Sequence, residues 1–374
     1  MLSRVAVAVT AMLFGLTYSL SAPLIAFRLA AHGLDETWIG ANAAMHAVGT
    51  LLTAPLLPAL AASLGVRRLV MLALGLSIVV LLAFAAGPPI WAWFPLRMLL
   101  GAVSEVLFVL SESWFSHLST DATRARSMAI FMVSMSTGFA AGPAILSVAG
   151  IAGALPFLAG AAPPALAMLL IGLPTLDVPA LHGTGPRNPL RALSLAPVAM
   201  AATMLNAVIE TAGLSFLALY AARLGWSDAS AAGLVSVMML GAIALQLPIG
   251  WLGDRMDRMR LVALLAAVAV AAPLLWPFVL AQAWPTYAVL FVWGGAFVGI
   301  YTMMLTVVGS RFQGTELIGI YAIMGIMWGV GALIGPPLAG LAMDAATHGL
   351  PAFAALACAL FLGIVAVRRG RDGA

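Results

Sequence analysis

The chain has 374 residues, 63% of them hydrophobic and 8% charged, with a formal net charge of +4 and a mean hydropathy of +1.10. A soluble domain carries about 25% charged residues, so a water-soluble globule is excluded and the chain reads as a membrane protein. Its repeated apolar runs, each about 20 residues long, ask for helices, because a barrel would show short alternating segments. The positive charge comes from arginine alone, with no lysine anywhere, and implies no nucleic-acid partner. Cys358 is the single cysteine, which excludes an intramolecular disulfide and a cysteine-based metal site.

The first apolar run resembles a signal peptide at its start, but the pattern continues to Leu29 and the segment has a counterpart later in the chain, so it reads as a retained first span. Runs bounded by charges, Gly-Pro or polar clusters predict twelve spans, near 4–31, 36–63, 66–86, 89–117, 122–149, 153–172, 195–222, 227–253, 259–280, 285–312, 315–343 and 349–368. The Pro/Gly-rich polar segment 173–194 reads as a cytoplasmic linker between an N-terminal bundle, 1–172, and a C-terminal bundle, 195–374. With the N-terminus inside, cytoplasmic segments hold Arg4, Arg67, Arg68, Arg124, Arg126, Arg187, Arg191, Arg255, Arg258, Arg260, Arg311, Arg368, Arg369 and Arg371, while the outer loops hold only Arg28 and Arg223. That asymmetry places both termini in the cytoplasm of a bacterium, in a multi-pass protein of the inner membrane.

The two halves match at an offset of about 192 residues: Met12 with Met204, Gly33 with Gly225, Gly101 with Gly294, and "GFAAGP" from Gly138 with "GALIGP" from Gly331. A constant offset over four landmarks predicts two six-span halves related by a parallel repeat, with a substrate site near the midplane between them.

Polar residues deep in apolar spans mark helices that line a wet passage, because a charge at the bilayer centre costs about 2.5–3.5 kcal/mol. Spans 3, 6, 9 and 12 carry no ionisable or amide side chain in their interiors and read as lipid-facing scaffolding. Span 2 has Asn42 and His46, span 4 has Arg97, Glu105 and Glu112, span 7 has Asn206 and Glu210, span 8 has Gln246, and span 10 has Tyr301, Thr302 and Thr306. Spans 1, 4, 7 and 10 are therefore expected to form the inner ring.

Several motifs resemble the major facilitator superfamily, and the likeness covers essentially the whole chain. "RMLLG" fits its Arg-x-x-x-Gly signature at Arg97 and Gly101. "GWLGDRMDRMR" fits its loop signature through Gly250, Asp254, Arg255 and Arg258, with Asp257 where glycine is usual. The first-half equivalent keeps Gly65, Arg67 and Arg68 but lacks the aspartate. "GFAAGP", with Gly138, Gly142 and Pro143, is part of a signature common in proton-coupled exporters of that family. The "SESW" ending of span 4 and the short chain also resemble a small, poorly characterised bacterial branch. The resemblance implies an all-α membrane protein of twelve transmembrane helices in two pseudo-symmetric bundles, and a role for Arg97 in proton coupling or substrate binding. It also implies a gate near Asp254, Arg255 and Arg258, with Gly138, Gly142, Pro143, Gly335 and Pro336 allowing helices to pack closely and bend.

On one helix, Glu105 and Glu112 lie about 20° and about 10 Å apart, with Arg97 on the same broad face. Unpaired in lipid these three would cost about 8–10 kcal/mol, so they are expected to meet water, each other or a ligand. Acids at different depths suit a proton relay; the alternative is that Arg97 and a glutamate pair only to register helices. Glu210, with Asn206 one turn earlier, reads as a proton carrier or substrate anchor, the alternative being a hydrogen bond to a neighbouring helix. His46 reads either as a titrating group or as a helix–helix hydrogen bond. The expected function is a proton-coupled secondary transporter of a small organic solute by alternating access, with export by antiport favoured over uptake, in a monomer without cofactor or resident metal. The chain is not expected to be an enzyme, and it has no nucleotide-binding loop of the Gly-x-x-x-x-Gly-Lys type. One alternative is copper transport, from twenty methionines and the i, i+4 pairs Met128/Met132 and Met200/Met204. Another is a non-transporting assembly factor or sensor on the same fold.

Overall fold

Every regular element among the described residues is helical, as a chain that must satisfy its backbone inside lipid requires. The structure, a computed structural model, describes residues 2–118, 124–173, 176, 195–312 and 314–372. The helices are α1 (Leu2–Ala31), α2 (Glu36–Thr53), α3 (Leu57–Leu64), α4 (Val66–Ala85), α5 (Trp93–His117), α6 (Arg124–Ala149), α7 (Leu155–Ile171), α8 (Pro197–Arg223), α9 (Asp228–Ala244), α10 (Gln246–Gly253), α11 (Arg258–Val279), α12 (Ala283–Arg311), α13 (Gly314–Ala345) and α14 (Gly349–Asp372). They follow the predicted spans to within a few residues. Most of the expected linker 173–194 lies outside the described residues, as do Asp121, which the sequence suggests as a cap for the fifth span, and the side chains of Arg124, Arg126 and Met128.

Among the described residues ten helical stretches are long and apolar enough to cross a membrane, and α7 is a shorter apolar helix. The second predicted span is broken instead by a 3-10 turn at Ala54–Leu56, where Pro55 withholds the N–H that a continuous helix needs. The eighth breaks at Leu245, the position equivalent to Thr53 in the repeat.

The repeat is visible in how backbones touch. A methyl group on Gly101 of α5 would overlap the His46 carbonyl of α2, and one on Gly294 of α12 would overlap the Met238 carbonyl of α9. Likewise Gly138 of α6 abuts the Met12 carbonyl of α1, and Gly331 of α13 abuts that of Met204 of α8. Each partner is itself related to its counterpart by the same offset, so the two halves pack their helices in one pattern.

By contacts the chain divides into two compact units, one of Met1–Gly33, Met45–Gly183 and Ser227–Ser236, the other of Leu34–Ala44, Thr184–Trp226 and Val237–Ala374. In the first unit α1 packs chiefly on α6, with α4 on α5 and α7; in the second α8 packs on α13, with α11 on α12 and α14. In α8, 89% of the most apolar window is buried, against 33% in α11 and 39% in α14. The helices without interior ionisable or amide groups, α4, α7, α11 and α14, expose Leu72, Leu82, Leu166, Leu264, Leu356 and Leu360.

Candidate functional site

In the first unit the polar residues gather on α1, α2 and α5. Arg97 enters in the first turns of α5 and is buried, with 2% of its surface exposed. Its Nη1 donates to Ser21 Oγ on α1 at 3.0 Å, and its guanidinium carbon stands 5.9 Å from the centre of the Tyr18 ring. The His46 ring of α2 lies 4.5 Å from the same tyrosine ring. Two buried nitrogens of this cluster, Arg97 Nε and His46 Nδ1, have no hydrogen-bond partner among the described residues.

Glu105 and Glu112 follow on α5, both partly exposed. Neither makes a hydrogen bond or ion pair among the described residues, and the registering pair with Arg97 is not formed. Helix geometry alone separates Arg97 from Glu105 by about 12 Å along the axis.

In the second unit Asn206 Nδ2 donates to Glu210 Oε2 at 3.0 Å, a contact along α8 rather than to a neighbouring helix. Asn206 is buried with its Oδ1 unpartnered, whereas Glu210 is partly exposed. Gln246, at the break between α9 and α10, accepts from Thr302 Oγ1 of α12 at 2.7 Å and donates to the Ala242 carbonyl at 2.7 Å. Tyr301 is partly exposed beside Thr302. Asn42 is buried at 1% exposure, its Nδ2 without a partner.

Asp254 closes the C-terminus of α10 and stands exposed, with no ion pair among the described residues. Arg255 lies with its guanidinium 3.6 Å from the centre of the Trp251 ring, and Arg258 donates to Ser310 Oγ at 3.1 Å. Asp257, the departure from the loop signature, caps α11 by accepting the Arg260 N–H at 2.8 Å. Pro143 and Pro336 are buried within unbroken helices; Gly142 abuts the backbone of α1, and Gly335 that of α8.

Sequence reasoning singled out neither Tyr18 nor Ser21, though their i, i+3 spacing within the polar run 17–21 of α1 was a signal. It also missed a polar network in the second unit. Asp344 of α13 accepts the Glu36 N–H at 3.0 Å and the Thr37 N–H at 2.8 Å, and receives the Thr37 hydroxyl as well. Glu36 forms an ion pair with Arg223.

The model of the family described as the Major Facilitator Superfamily matches residues 7–235 and 192–373. This chain belongs to that superfamily. An uncharacterized MFS-type transporter of Bacillus subtilis (strain 168), YfkF, is 25% identical over 340 residues, covering 88% of this chain and 86% of its own length. Among solved structures, a point mutant of the nucleoside transporter NupG superposes with a TM-score of 0.80 at 15% identity, covering 97% of each chain. A D-xylose-proton symporter does so with a TM-score of 0.74 at 12% identity, covering 96% of each. At these identities the structural likeness establishes the fold, and family membership makes the chain a transporter-type protein rather than an enzyme.

Proposed function

We propose that the chain is a proton-coupled secondary transporter of a small organic solute, working by alternating access in the bacterial inner membrane as a monomer with both termini cytoplasmic. The observation that carries this reading is that Glu105, Glu112 and Glu210, set in apolar helices, have no fixed cationic partner among the described residues. A carboxyl group not clamped by a cation can take and lose a proton without breaking an ion pair. Two such groups on α5 at different depths, and one on α8, supply stations for a proton that moves as solute moves. Export by antiport is favoured over uptake by the "GFAAGP" segment, whose glycines fit α6 against α1. The D-xylose-proton symporter among the structural neighbours lends support, as an instance of proton coupling on this fold.

The test is transport in proteoliposomes under an imposed pH gradient. Glu210→Gln and Glu105→Gln are each expected to abolish gradient-driven accumulation while leaving yield and helicity at the wild-type level. Retention of full coupling by both variants would refute the relay.

A further inference from the structure

We propose that the solute carries an anionic group, a carboxylate or a phosphate ester, and that Arg97 is its recognition point, aligned by Ser21 and walled by Tyr18 and His46. The inference rests on the transporter reading above and adds the substrate class.

Charge accounting leads to it. Arginine stays protonated under all ordinary conditions, so Arg97 cannot discharge itself as a buried acid can by binding a proton. Among the described residues its five N–H donors find one acceptor, the neutral hydroxyl of Ser21. Nε is sealed from solvent and left without a partner, which is costly for a charged group unless something completes it.

Among the described residues no carboxylate in the first unit can serve as its counter-ion. Among the described residues that unit holds Glu105, Glu112 and Asp228. Glu105 and Glu112 lie about 12 Å and about 22 Å further along the same helix, and Asp228 is exposed at the first turn of α9. Neither α1 nor the part of α2 in this unit contains an acid.

The hydroxyl of Ser21 holds one edge of the guanidinium and the Tyr18 ring stands near it, while the His46 ring, its Nδ1 without a partner among the described residues, lies against the same tyrosine. A planar fork with free donors is suited to a two-oxygen anion.

The test uses the purified full-length protein and a deproteinised, delipidated small-molecule extract of bacterial cells, divided on an anion-exchange resin into retained and unretained fractions. The retained fraction is expected to raise the thermal unfolding temperature. Arg97→Gln should lose that shift, and Arg97→Lys, which keeps the charge but not the fork, should need about tenfold more of the fraction. Arg260→Gln, an exposed arginine on α11, should keep the shift, which controls for total charge. Loss of the shift after phosphatase treatment assigns a phosphate ester, and its survival a carboxylate; either supports the proposal. A shift confined to the unretained fraction, a full shift in Arg97→Gln, or no shift with either fraction would overturn it. The wild-type arms decide the matter even where Arg97→Gln fails to fold. Loss of proton coupling alone, read in proteoliposomes, would leave the anion assignment standing.

Discussion

Tyr18 on α1 and Glu210 on α8 occupy equivalent positions in the repeat, as do Arg97 on α5 and Leu290 on α12, at offsets of 192 and 193. The first unit therefore carries a buried cation beside a tyrosine where the second has a leucine, and the second carries a carboxyl group where the first has the tyrosine ring. His46 likewise corresponds to Met238. Helix packing is duplicated and chemistry is not. Residues that hold helices together repeat between halves because they answer to the same backbone geometry, whereas polar side chains set among them are not bound by that geometry and are free to diverge.

The glycine contacts give the sharpest way to break this comparison. Gly101→Val and Gly294→Val should destabilise the protein to a similar extent, at or above the upper end of the roughly 1–3 kcal/mol seen for overpacked cores, because each side chain would meet a carbonyl of the facing helix. Yield of monodisperse protein and unfolding temperature measure it. A large loss in one variant and none in the other would show that the halves do not share a packing rule.

Arg97→Met tests the chemical side. An unbranched apolar side chain makes this position more like Leu290, which sits 2% exposed among apolar neighbours. Removing a buried charge that has no counter-ion also removes its desolvation penalty, so an apolar side chain of similar volume is expected to be neutral or stabilising there. The variant should therefore unfold at or above the wild-type temperature while losing its response to the anionic fraction. A marked fall in stability would instead make Arg97 a structural strut, held by Ser21 and Tyr18.

Much of the fold was legible in the sequence for the reason these variants expose. Span length, arginine-bounded loops and repeated glycines are local signals, and the membrane leaves helices as the spanning element for a chain with such runs. The break at Ala54–Leu56 escaped because prolines in an apolar run, here Pro55 and Pro58, read equally as a kink or as an end. The candidate site was half legible. Asn206 and Glu210 meet along one helix, as their i, i+4 spacing suggests. Arg97 finds Ser21 76 residues away in the chain, a partner that helix spacing cannot name. Residues near Asp254 followed a family signature, yet Arg258 bonds Ser310 across 52 residues.

The least conspicuous of these distant contacts supports the last and smallest prediction. The N-termini of α2 and α9 are equivalent, and each has a local cap: Asp35 Oδ1 accepts the Trp38 N–H at 2.9 Å, and Ser227 Oγ accepts the Ser230 N–H at 3.3 Å. Among the described residues only α2 has in addition Asp344, whose two oxygens take the first two backbone N–H groups of the helix, those of Glu36 and Thr37, from 308 and 307 residues away. A carboxylate there satisfies donors that a helix end leaves open and meets the positive end of the helix dipole. Asp344→Asn keeps one acceptor, turns the other into a donor facing an N–H, and removes the charge. It should cost about 1–2 kcal/mol, where Ser227→Ala should cost about 0.5–1 kcal/mol. Hydrogen exchange locates the effect: amides in the first turn of α2 should lose protection in Asp344→Asn while those of α9 keep it. Unchanged exchange at α2 would mean that the local Asp35 cap suffices, and that the two helix starts are as alike in energy as they are in sequence position.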